Sequence, residues 1–153
     1  MTPEELGDSL ARLVWESFSD FVAESDPENA AEEALIFFMW AHTRGTQLAF
    51  IGRAQEDLVR RGLDLMHTAV FEDMAVHGTP RSQLPIFEQR VAARYSEYAS
   101  AADVSDARLG RAVVRHLTGR EQLPDAAVRA VAERAIAVAN PLRDFLEDVQ
   151  LIG

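Results

Sequence analysis

The stretch Ala34-Leu35-Ile36-Phe37-Phe38-Met39-Trp40-Ala41 decides the fold. Eight consecutive apolar residues fit either a fully buried strand or a helix. Only Ile36 is β-branched, and the lead-in from Asn29 to Ala34 is rich in strong helix formers. Asp26-Pro27-Glu28 reads as an N-cap with proline at the first helical position and acidic charge in the first turn. The run covers more than two turns, so the helix is apolar on every side. Such a helix is buried all round or crosses a membrane. Crossing takes roughly 20 apolar residues, and this run stops at His42-Thr43-Arg44. The expectation is the central core helix of a soluble protein. The alternative is that one side of it lies in an oligomer interface.

The flanking chain fits that centre. A length of 153 residues suits a single domain with a sizeable core. Cysteine is absent, which removes disulfides, a thiol nucleophile and cysteine zinc ligands, and fits a cytoplasmic protein. Met1-Thr2-Pro3-Glu4-Glu5 carries no basic or apolar start, so a secretory signal is not expected. All fifteen basic residues are arginine, and the formal net charge is −10. Ten of the acids fall at or before Glu33, against Arg12 alone. An acidic chain without a basic stripe is a poor partner for a phosphate backbone, so no nucleic acid is expected.

From the N-terminus, Thr2-Pro3-Glu4-Glu5 reads as a capping box. Leu6, Leu10, Leu13, Val14, Phe18, Phe21 and Val22 then form the apolar stripe of a first helix, Pro3 to about Glu24, with Trp15 beside it. The central helix is expected to stop at Gly45, after basic side chains, with Thr46 capping the next; the alternative is that it continues to Gly52. A third helix takes in Leu48, Ile51, Leu58, Leu63, Met66 and Val70 and ends at His77-Gly78-Thr79-Pro80. The fourth begins near Pro85. Asp103 to Asp106 caps a fifth that ends near Gly119, and Pro124-Asp125 opens the last, which Pro141 should kink or divide. No segment alternates like a strand. The fold expected is all-α: a bundle of about six largely antiparallel helices.

Phosphate-binding loops, zincin motifs and nucleophile elbows are absent from the sequence. Three groups of residues remain. Trp40, His42 and Arg44 would set polar groups beside an apolar wall, as ligand sites do. Asp64 and His67, three apart on one helix face, could supply half of a metal site. Trp15, Arg94, Tyr95 and Tyr98 are residue types enriched at protein interfaces, although tyrosines also close cores. Two functions follow. The first is a non-enzymatic protein that works by self-association or by binding another protein, without a cofactor or a membrane. The second is a small-molecule- or metal-binding bundle, with an enzyme as one form of it. Docking of the acidic N-terminal region onto a basic partner is a third reading.

Overall fold

A computed structural model of the chain describes residues 1–25, 30–119 and 124–153. Among them are six α-helices and no strand: α1 (Pro3–Ser25), α2 (Ala31–Ala49), α3 (Glu56–Val76), α4 (Leu84–Val104), α5 (Asp106–Thr118) and α6 (Asp125–Glu147). A 3-10 turn at Arg81–Gln83 leads into α4. The chain is an all-α helical bundle. None of the described helices is long and apolar enough to cross a membrane.

Local chemistry sets several boundaries where the sequence puts them. The capping box forms: the Glu5 amide donates to Thr2 Oγ1 at 3.2 Å, and the Thr2 amide donates to Glu5 Oε1 at 3.2 Å. Ser105 caps α5 by accepting from the Arg108 amide, and Gly119 closes it in the left-handed conformation. The expected cap at Asp26-Pro27-Glu28 lies outside the described residues.

The central run is enclosed. α2 touches every other helix, and no residue from Ala34 to Ala41 is more than 7% exposed. Each large side chain in it removes enough apolar surface from water to favour folding by about 2–3 kcal/mol. One core joins it to Leu6, Leu10 and Val14 of α1, Met66 and Val70 of α3, Tyr98 of α4, Val113 of α5 and Leu142 of α6.

Three expectations are corrected. α2 does not stop at Gly45 but runs to Ala49. His42 Nδ1 and Thr43 Oγ1 bond back to the Phe38 and Met39 carbonyls four residues earlier, at 2.7 and 2.8 Å, so the polar stretch is accommodated within the helix. Gly45 serves packing: a Cβ there would lie 2.7 Å from Leu142 Cδ2. Thr46 is buried inside α2 and caps nothing. The third helix starts at Glu56, leaving Leu48 on the last turn of α2 and Ile51 in the following turn, both exposed. Finally, of the kink or division expected at Pro141, division does not occur: α6 runs through it from Asp125 to Glu147. Val138, Leu142 and Leu146 anchor it on both sides of the missing amide.

Candidate functional site

A groove of about 990 Å³ lies between the C-terminal half of α2, α3 and α4. The helices around it are held by different neighbours. α1 packs most closely on α3, where Gly62 faces Leu6 and Gly7 faces Leu65, each too near to admit a Cβ without movement. α4 packs instead on α5. α3 and α4 are bridged by side chains: Phe71 meets Phe87 edge-on at 5.9 Å, and His67 meets Tyr95.

Phe50, Val59, Leu63, Phe71 and Val91 supply apolar surface to the groove, and Glu56, Asp64 and Glu88 supply carboxylates. In its lining, His67 Nδ1 lies 2.7 Å from the Leu63 carbonyl, and its Nε2 lies 2.7 Å from the Tyr95 hydroxyl. A carbonyl only accepts, so Nδ1 carries the proton and Nε2 accepts from Tyr95. Burial pushes the His67 pKa down, opposed by the Leu63 carbonyl and the Asp64 charge. Burial likewise pushes the Tyr95 phenol up, with Thr43 partly offsetting it. Both groups are therefore neutral near pH 7. The arrangement offers a ligand apolar walls, an ordered neutral His67–Tyr95 pair, and charged side chains from Glu56, Arg60, Asp64 and Glu88.

The Trp40, His42 and Arg44 group does not converge. Arg44 lies over the Trp40 ring at 5.7 Å and pairs with Asp103, on the α4 side of α2. His42 faces the other way, into a cavity of about 200 Å³ that Glu16, Asp20 and Arg134 also line. Burial lowers its pKa. Asp64 and His67 share a helix face, yet both His67 nitrogens are engaged. Among the described residues no three His, Asp or Glu side chains are grouped to hold an ion.

The aromatic and cationic group is engaged within the chain. Trp15 Nε1 donates to Asp73 at 2.8 Å, joining α1 to α3. Arg94 makes a two-pronged pair with Glu33 at 3.0 and 2.9 Å. Tyr98 is fully buried, edge-on to Trp40 at 5.8 Å, and its hydroxyl has no hydrogen-bond partner among the described residues. Only Tyr95 of this set lines the groove. Part of the N-terminal acidity is also engaged inside the chain: Glu4 pairs with Arg61 and Glu32 with Arg90.

Phe50, Phe71 and Glu88 were not singled out in the sequence. The turn that brings Phe50 to the groove was read as helix. Glu56 and Asp57, acidic residues suited to a first turn, were the available signal for the true start of α3. No protein-family model, curated protein or solved structure matches the chain.

Proposed function

We propose that the chain is a binding protein for a small, largely apolar molecule held in the groove between α2, α3 and α4. The observation that carries this is the groove's combination of size and lining. Ligand sites are typically about 300–1,000 Å³, mostly apolar, with a few placed polar groups. Here the volume is about 990 Å³, the apolar walls include Phe50, Leu63, Phe71 and Val91, and the polar groups include the ordered His67–Tyr95 pair. The Tyr95 hydroxyl spends its proton on His67, so towards a ligand it is an acceptor.

A neutral fluorescent naphthylamine dye tests the idea. It should bind saturably to the whole protein and gain fluorescence. Ala92→Trp, at an exposed position of the groove wall, should abolish the signal while leaving the helical circular dichroism unchanged. Undiminished binding by Ala92→Trp would overturn the assignment.

Association with a second copy or with another protein is the second reading. Its support is Leu48 and Ile51, 58% and 72% exposed, with Ile51 on the groove itself. Sedimentation velocity at micromolar concentration should then show a dimer that Leu48→Glu/Ile51→Glu dissociates. A strictly monomeric wild type removes the self-association form.

A further inference from the structure

One arginine stands apart from the rest. Arg134 on α6 is only partly exposed, yet among the described residues it makes no hydrogen bond or ion pair, and its Nε is buried without a partner. The other partly exposed arginines, Arg44, Arg90 and Arg94, all pair with carboxylates. A buried donor left unsatisfied is costly, more so when charged, so such a group calls for an explanation. Its guanidinium lies 5.9 Å from the Phe38 ring centre. It forms one wall of a cavity of about 200 Å³ whose other walls include Phe21, Phe37, Phe38, Leu117 and Val131. Those walls are apolar.

We propose that this cavity is a second ligand site, separate from the groove, and that it takes a small organic monocarboxylate with its carboxylate on Arg134. The charge follows from the guanidinium, whose planar donors match a carboxylate and whose attraction is strengthened by apolar surroundings. The size follows from the volume: an apolar cavity of about 150 Å³ takes benzene, so 200 Å³ takes a six-membered ring with a short acid arm. Glu16 and Asp20 lie with neutral His42 around the neighbouring cavity that Arg134 also lines. Neither carboxylate pairs with the guanidinium, but their charge opposes an incoming anion.

Phenylacetate is the probe, titrated into the full chain and followed by NMR and calorimetry. Saturable binding that shifts the signals of Phe38, Leu117 and Val131 is expected. Phenylacetamide has the same shape without the charge and should bind at least about tenfold more weakly, as should phenylacetate to Arg134→Met. Phenylacetate should still bind Ala92→Trp, in which the groove is filled. No binding, equal binding of the amide, undiminished binding by Arg134→Met, or loss of binding in Ala92→Trp would each overturn the proposal. If Arg134→Met does not fold, Glu16→Gln/Asp20→Asn decides, because it keeps the guanidinium and removes the opposing charge. Tighter binding supports the site, and unchanged or weaker binding overturns it.

Discussion

The Tyr95 hydroxyl of α4 donates to His67 Nε2 of α3 at 2.7 Å, a polar bridge between two helices that otherwise meet through aromatic side chains. Its worth is measurable. Tyr95→Phe keeps the ring and strands the imidazole nitrogen, which should cost about 1–2 kcal/mol in urea unfolding. Joined with His67→Phe in a double-mutant cycle, it should show a coupling of about 1 kcal/mol. Additive losses would mean that the bridge contributes nothing of its own.

Two histidines make stability fall on the acid side of neutrality. Burial lowers the pKa of both His42 and His67 below the ordinary value of about 6.5. Above that value both states are neutral and neither residue contributes. Below it the unfolded chain binds protons that the folded chain resists, so unfolding becomes easier as pH falls, until the folded pKa values are reached. Each histidine can remove up to about 1.4 kcal/mol per pH unit in that window. Glu4 and Glu72, whose arginine partners lower their pKa values, act in the same direction. Their stabilisation is lost only as pH falls below about 4.5. Urea titrations between pH 7 and pH 5 should therefore show a decline that His67→Gln makes shallower. An unchanged slope in that variant would place the effect elsewhere.

Arg53, in the turn after α2, reaches the far end of the chain and closes α6. Its guanidinium donates to the carbonyls of Leu146, Glu147 and Val149 at 2.9, 2.8 and 3.1 Å. The Leu146 and Glu147 carbonyls belong to the helix end, which leaves them without intrahelical partners, Val149 follows just beyond it, and a cation there also favours the helix dipole. Arg53→Met should cost about 1–2 kcal/mol and speed amide exchange over the last turn of α6. Global destabilisation without faster local exchange would argue that the arginine acts by packing on Phe50, over which it also lies.

What could be read from the sequence was whatever a few neighbouring residues decide. Thr2 and Glu5 cap each other, Ser105 starts α5, and the unbroken apolar face of Ala34 to Ala41 requires enclosure. Gly45 misled because its role depends on Leu142, far along the chain, and not on the polar residues beside it. The groove was illegible for the same reason: its walls come from α2, α3 and α4, and α3 packs on α1 through close approaches at Gly7 and Gly62 that no local pattern announces. His67 and Tyr95 were each singled out, for a metal and for an interface. Their pairing across the groove needed the two helices placed side by side. Arg134 gave no local signal at all, because its isolation is a fact about what other helices do not bring to it.

Gly45 offers a prediction whose sign separates packing from propensity. In an isolated helix, Gly→Ala favours folding by about 1 kcal/mol. Here the new methyl group would sit 2.7 Å from Leu142 Cδ2, and Leu142 is itself buried against α2. Overpacking of this kind costs about 1–3 kcal/mol, so Gly45→Ala should be neutral to destabilising by about 2 kcal/mol. Leu142→Ala alone should cost about 2–5 kcal/mol through the cavity it leaves. In that background the methyl group gains room and fills part of the cavity, and the same Gly45→Ala change should now stabilise. Denaturant unfolding of the four proteins gives the coupling directly. If the alanine stabilises both backgrounds equally, close approach of α2 and α6 does not select glycine at position 45, and helix propensity alone governs it.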